Sequence, residues 1–348
     1  MGPFAGFDMP ISYPSGAVEE HLICRRSVGL FDIDHMGQVE LSGQGATEYL
    51  SGLVSARVIN MVPGEARYSL LLDEEGGVLD DLFIYRLRKS WLIVVNASNR
   101  ESDLDWMRSR APKGVKAADR SEDTYMLAVQ GPRAIELLDS VAGGAVSGLQ
   151  RFTSGEVRIG GTKVLFGRTG YTGEDGGELF IPALKALEIW ELLMAEGKRL
   201  GIETAPIGLA ARDSLRFEAG MPLYGHELSA SINPIEAGFK WACDFAKEFV
   251  GRAALETIVS AGPARRLVCL DVTGGVPREG CEVLAPGGGR AGVCVAGMYC
   301  PTVKKYAANA FVDHELSKVG TALAVSIRDK PRDAVVVKRP LYVPVYRR

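Results

Sequence analysis

Two adjacent carboxylates, Asp80 and Asp81, interrupt the apolar run Val78-Leu-Asp-Asp-Leu-Phe-Ile-Tyr85. These are residues with strong strand preference, and neighbours along a strand point to opposite faces. Asp81 then shares a face with Leu79, Phe83 and Tyr85, and Asp80 shares one with Val78, Leu82 and Ile84. Both faces are apolar. A carboxylate buried there without a partner costs several kcal/mol or takes up a proton. An acid in a partly dry site can hold or relay a proton for chemistry. It can equally be a structural acid bonded to backbone amides or to an arginine, and on these residues alone both readings stay open.

Other reactive residue types offer less. The six cysteines, Cys24, Cys243, Cys269, Cys281, Cys294 and Cys300, include no C-x-x-C pair. They read as small buried apolar residues in a reducing compartment. His21, His35, His226 and His314 are far apart and lack ligand spacing, so no metal site is expected. His35-Met36 reads as packing at a strand end. The loop from Arg168 to Glu178 (R-T-G-Y-T-G-E-D-G-G-E) has the glycines that let a ligand approach the backbone. It lacks the spacing of a phosphate loop and carries three acids.

The elements that must position these groups follow from the patterning. The turn Asp73-Glu-Glu-Gly-Gly77 joins Leu70–Leu72 to the aspartate strand as a β-hairpin. Trp91–Asn96 is a further strand, and a helix follows from Asn99 to Arg110; Asn96, at the junction, reads by itself as a helix cap. Tyr125–Gly131 is another strand, as are Glu156–Ile159 and Lys163–Phe166. Helices are expected over 17–27, 43–53, 182–200 and 206–219. The last carries Arg212, Asp213, Arg216 and Glu218, which read as a solvated face with Arg216 among its exposed charges. Residues 220–243 form a long irregular loop. From about Arg265, short β-rich runs alternate with turns and read as a small antiparallel barrel or sandwich. The domain division expected is 1–255, a catalytic region of two subdomains, and 265–348, the β-rich domain.

Size and charge exclude several classes. A chain of 348 residues with a net charge of -3 and no Lys/Arg-rich block has no electrostatic footprint for nucleic acid or a membrane surface. No apolar run approaches the roughly 20 residues that span a bilayer. The first residues show neither a secretory nor an organellar leader, and a cytoplasmic location is expected.

Several stretches together resemble one family, the T-protein (aminomethyltransferase) of the glycine cleavage system. They are F-D-I-D-H-M-G-Q (31–38), A-R-Y-S-L-L-L-D-E-E-G-G-V-L-D-D-L (66–82), V-V-N-A-S-N (94–99), the 168–178 loop, G-L-A-A-R-D-S-L-R-F-E-A-G-M-P-L-Y-G-H-E-L (208–228) and N-P-I-E-A-G (233–238). Each is weak alone, but their order and spacing match over nearly the whole chain. The resemblance implies an α+β, three-subdomain fold around a central folate site, with a C-terminal β-barrel. It implies tetrahydrofolate as co-substrate, lipoylated H-protein as partner, and transfer of a one-carbon unit from the lipoyl sulfur to folate. Carried over by position, Asp81 resembles the family's catalytic aspartate. Glu178 and Arg212 resemble its pterin- and substrate-binding pair. Met36, Tyr68, Asn96 and Tyr171 resemble pocket-lining residues, and Arg347 a C-terminal arginine near the folate.

The sequence departs from the family pattern at Asp34, usually Ser, at Gly177, usually apolar, and at Lys304, usually glycine. A second reading keeps fold and folate but takes a methyl or methylene group from a small N-, S- or O-methyl donor. A third, a non-catalytic folate-binding factor serving iron–sulfur assembly, wants K-G-C-Y-x-G-Q-E. The nearest segment here, R-T-G-Y-T-G-E, has no cysteine.

Overall fold

The computed structural model describes residues 1–344. Its first sheet has five antiparallel strands in the order Ala66–Leu72, Val78–Arg86, Ser90–Val95, Gly37–Gly43, Val115–Asp119. The expected hairpin is its edge, with Leu70 opposite Asp81, Leu71 opposite Asp80, and a bulge between Leu71 and Leu72. One face is covered by the helices Ala46–Leu53 and Arg100–Arg110, whose Leu50, Leu53, Leu104 and Met107 pack on Leu82, Ile84, Trp91, Ile93 and Val95. Burying side chains of this size stabilises by about 1.5–3 kcal/mol each.

A second, six-stranded sheet runs Ser154–Ile159, Thr162–Gly167, Gly176–Pro182, Thr124–Gln130, Val28–Asp32, Thr204–Pro206, with only the last pair parallel. Helices Ala134–Ala142 and Ala186–Leu200 cover its outer face. The inner faces of the two sheets meet. Tyr85, Leu92 and Val94 of the first pack with Phe31, Met126, Ala128 and Phe180 of the second, and with Ala211 and Leu215 of the helix Leu209–Glu218. Asp81 lies on this inter-sheet side of its strand, while Asp80 lies on the helix-covered side. The alternation expected from the sequence therefore decides which acid faces the middle of the molecule.

The third unit is a closed barrel of six strands, Arg265–Val272, Lys305–Asp313, Arg290–Cys300, Glu282–Leu284, Ala322–Ile327 and Lys330–Val337. The α+β class and the C-terminal barrel are thus as expected. The helix Arg252–Ala261 crosses position 255, where the first region was expected to end. Lys304 turns the chain between two barrel strands with φ 54°, a left-handed conformation in which glycine is at ease.

Three local expectations differ. The strand Gly176–Pro182 occupies residues read as loop and helix start. Its glycines hide the strand signal, yet a Cβ at Gly177 would sit 2.1 Å from the Phe166 ring on the neighbouring strand. The apolar side chain usual in the family has no room there. Asn96 makes no capping bond, for reasons given below. Arg216 is not solvated: only 1% of its side chain is exposed. It donates to Asp213 Oδ1 at 2.8 Å, to both oxygens of Glu227 at 2.9 Å, and to Met221 O at 3.2 Å. The irregular 220–243 loop folds back over the helix and brings Glu227, which also accepts from the barrel residue Asn309 at 2.6 Å. Helical periodicity carries no information about a cover supplied from so far along the chain.

Candidate active site

Asp81, Tyr68, Tyr171 and Arg212 are each partly accessible although protein surrounds them on all sides. Each keeps part of its surface open while the rest packs against protein. Tyr68 stands on the hairpin strand next to that of Asp81, directly opposite Phe83. Its hydroxyl donates to Asp81 Oδ2 at 3.1 Å. Its ring stacks on Trp241 with centroids 5.5 Å apart.

Asn96 ends the adjacent strand, and its side chain turns back to the acids instead of capping the helix. Its Nδ2 donates to Asp81 Oδ1 at 3.0 Å, to Asp80 Oδ1 at 2.8 Å and to Asp81 O at 3.1 Å, while its backbone N–H donates to Asp80 Oδ2 at 2.9 Å. Asn99 Nδ2 adds a bond to Asp80 Oδ1 at 2.8 Å. Both carboxyls are thereby fixed in place.

No ion pair to either acid is formed among the described residues. Burial, and secondly the charge of Asp80, push the Asp81 carboxyl up to about 7. The bonds from Tyr68 and Asn96 oppose this without reversing it. Asp81 therefore changes protonation state close to neutrality, where a general acid or base is most effective.

The second sheet and the Leu209–Glu218 helix supply another wall. The Arg212 guanidinium lies 4.8 Å from the centroid of the Tyr171 ring and has no hydrogen-bond or ion-pair partner among the described residues. Its environment is dry enough to lower its proton affinity, with Tyr171, Glu178 and Asp213 the nearby groups that oppose this. Glu178 sits on the strand Gly176–Pro182. Its Oε2 accepts from Thr169 Oγ1 at 2.6 Å and Tyr85 Oη at 2.8 Å. Its other oxygen has no donor among the described residues. Tyr171 donates to the carbonyl of Pro222 and is close enough to Asp81 to feel its charge.

The residues expected from the sequence thus fall into two joined groups. Asp81, Tyr68 and Asn96 form one, and Glu178, Arg212 and Tyr171 the other. Met36 packs at the edge of the inter-sheet cluster that includes Tyr85 and Phe83. Its neighbour His35 is a packing residue, buried beside the rings of Phe4 and Phe7. Arg347 lies outside the described residues. Sequence reading passed over Asn99, Tyr85, Thr169 and Trp241, all of which hold a group of the site. Asn99 and Thr169 stand inside the motifs already singled out, whereas nothing in the sequence brings Trp241 to Tyr68.

A near-neutral aspartic acid, a guanidinium without an ion-pair partner among the described residues and an acid with one oxygen left free among them make up a candidate enzyme site. Comparison places this chain within a family. The model of the GCVT N-terminal domain matches residues 1–247, and that of the glycine cleavage T-protein C-terminal barrel domain matches residues 265–342. The aminomethyltransferase of Synechococcus sp. (strain CC9902) is 42% identical over 98% of this chain and 95% of its own length. That of Bacillus subtilis (strain 168) is 40% identical over 97% and 94%. The crystal structure of glycine cleavage system aminomethyltransferase T from Bartonella henselae superposes with a TM-score of 0.92 at 32% identity, covering 99% of this chain and 94% of that one. The chain belongs to the glycine cleavage T-protein family and is an enzyme of the aminomethyltransferase type.

Proposed function

We propose that this enzyme transfers the one-carbon unit of an S-aminomethyldihydrolipoyl group on H-protein to tetrahydrofolate. The products are 5,10-methylenetetrahydrofolate, ammonia and dihydrolipoyl H-protein. The observation that carries this reading is Asp81 itself, an acid poised near neutrality on the inter-sheet face of its strand and held by Tyr68 and Asn96. Two folate nitrogens replace the amine and the lipoyl sulfur on the carbon: each nitrogen must shed a proton as its bond to carbon forms, and the departing amine and thiolate each gain one. Asp81 is the group placed to take and return such a proton, and Tyr68 and Asn96 keep its oxygens aimed. Such help is typically worth about 10²–10⁴ in rate.

The other wall suits a pterin. The free oxygen of Glu178 can accept from the adjacent donors of its amide-like edge, and Arg212, lacking a protein counter-ion, can serve an acceptor or a carboxylate of the ligand. Tyr171 and Met36 supply flat and flexible apolar surface beside them. No nucleophilic cysteine is needed, because the carbon already sits on a good leaving group. All six cysteines are free and five are buried, which suits the cytoplasm. We assign folate binding to residues 1–255 and regard the C-terminal barrel as the third wall of the site.

The test is an assay with aminomethyl-loaded lipoylated H-protein and tetrahydrofolate, read as methylenetetrahydrofolate formed. Turnover is expected. Failure there, with folate-dependent demethylation of a small N-, S- or O-methyl compound instead, would move the assignment to a different donor.

A further inference from the structure

Behind Asp81 lies a third carboxyl that the proposed chemistry does not use. Asp103, on the helix Arg100–Arg110, is 2% exposed and reaches Asp80 on the helix-covered side of the hairpin. Its Oδ2 is buried and meets no donor in the protein. Asp80 is wholly buried and already accepts three bonds, two from Asn96 and one from Asn99. Three neighbouring carboxyls, Asp103 against Asp80 and Asp81 joined to Asp80 through Asn96, with no cation paired to any of them among the described residues, cannot all be ionised. Asp80 is surrounded by donors and is the natural anion. Asp103 faces an acceptor and its Oδ2 meets no donor, so a proton on it completes both groups.

We propose that Asp103 is a positioning residue: a neutral carboxylic acid that donates to Asp80, holds it ionised, and through that buried charge keeps the proton of Asp81 available near neutral pH. The proposal rests on the assignment of Asp81 given above. The groups facing this trio from the surrounding elements are Tyr68, Tyr171 and Tyr224, all of them neutral, since burial raises each phenol. None supplies a compensating positive charge. Burial first, and then the charge of Asp80 and the bond to it, push Asp103 up to about 10, in keeping with the geometry. The linkage is indirect, because Asn96 Nδ2 bridges Asp80 Oδ1 and Asp81 Oδ1.

Two substitutions separate the roles. Asp103→Asn keeps a neutral donor against Asp80, so kcat and its pH profile should stay within about twofold of wild type. Asp103→Ala removes the donor, so Asp80 takes up a proton of its own and no longer raises Asp81. The apparent pKa of kcat should then fall by about one unit while KM for folate changes little. If Asp103 were ionised, Asp103→Asn would itself lower that pKa. If it were mere packing, neither variant would move it. Either result overturns the proposal.

A readout independent of catalysis guards against an error in the role of Asp81, or poor folding of the alanine variant. The proton of Asp103 is retained in the folded protein and lost from the unfolded chain above the usual carboxyl range, so native stability falls as pH rises. The melting temperature of Asp103→Asn relative to wild type should therefore climb between pH 5 and pH 8. The infrared band of a buried protonated carboxyl, present in Asp81→Asn at pH 8, should be missing in Asp81→Asn/Asp103→Asn. A flat stability difference, or a band that survives in the double variant, contradicts the proposal whether or not Asp81 is catalytic.

Discussion

Arg212 and Arg216 lie one turn apart on the same helix and have opposite fates. Arg216 is enclosed and fully partnered by Asp213, Glu227 and a carbonyl. Arg212 lies over the ring of Tyr171 and has no hydrogen-bond or ion-pair partner among the described residues. The same contrast separates two groups of buried acids. Glu174 and Glu218 are paired with Arg25, and Glu218 also with His21, in a network that ties the helix Ala17–Arg26 to the barrel turn at Thr302. Asp80, Asp81 and Asp103 have amides and a phenol around them but no cation among the described residues. Buried charge that has its counter-ion inside the protein is architecture. Buried charge without one is held ready for something that arrives from outside.

The contrast can be broken at its structural end first. Removing one partner of a buried ion pair leaves the other uncompensated and costs about 3–5 kcal/mol. Arg216→Ala should therefore lower the urea unfolding free energy by about that amount. If stability hardly changes, the paired group is not the architectural element claimed here.

At the ligand end the effects are smaller and fall on a different quantity. Arg212→Ala should leave the unfolding free energy near that of wild type, since it loses no protein ion pair, whereas Glu178→Ala takes the acceptor from the buried Tyr85 and Thr169 hydroxyls and should cost about 1–3 kcal/mol. Each should weaken tetrahydrofolate binding by calorimetry, by about 1.5–3 kcal/mol for a hydrogen bond to a charged group. Unchanged affinity would make them structural. The mildest change sharpens the picture further: Tyr85→Phe removes one of the two donors that hold Glu178 Oε2. It should cost about 0.5–1.5 kcal/mol of folate affinity, with the transfer rate at saturation unchanged.

Much of this was legible in the sequence because it is local. The period-2 rule placed Asp80 and Asp81 on opposite faces of one strand, and the structure keeps them there. The barrel strands announced themselves as short apolar runs between turns. What could not be read depends on partners far along the chain. Arg212 and Arg216 have the same chemistry and the same helix, and only Glu227, delivered by an irregular loop, distinguishes them. Asn96 stands where helix caps stand, and only the adjacent hairpin gives its amide a better acceptor. The strand bearing Glu178 was hidden by Gly176 and Gly177, needed for close approach to the neighbouring strands and not for a turn. Asp103 carries no mark in the sequence, because nothing nearby along the chain says that the Asp80 carboxyl lies over it.

The central claim is that Asp81 is held near neutrality for proton transfer, at some expense to the fold, and Asp81→Asn tests it most directly. The Asp81 carboxyl stands at about 7 in the native protein against 3.8 for a free side chain. The folded state thus keeps a proton that the unfolded chain gives up. Its stabilising effect is complete below that lower value and is lost as pH rises through 7. In Asp81→Asn, transfer to tetrahydrofolate should fall by about 10²–10⁴, folate affinity should stay within about tenfold, and stability relative to wild type should increase from pH 5 to pH 8. Turnover at the wild-type rate, or a stability difference that does not change with pH, would contradict the account.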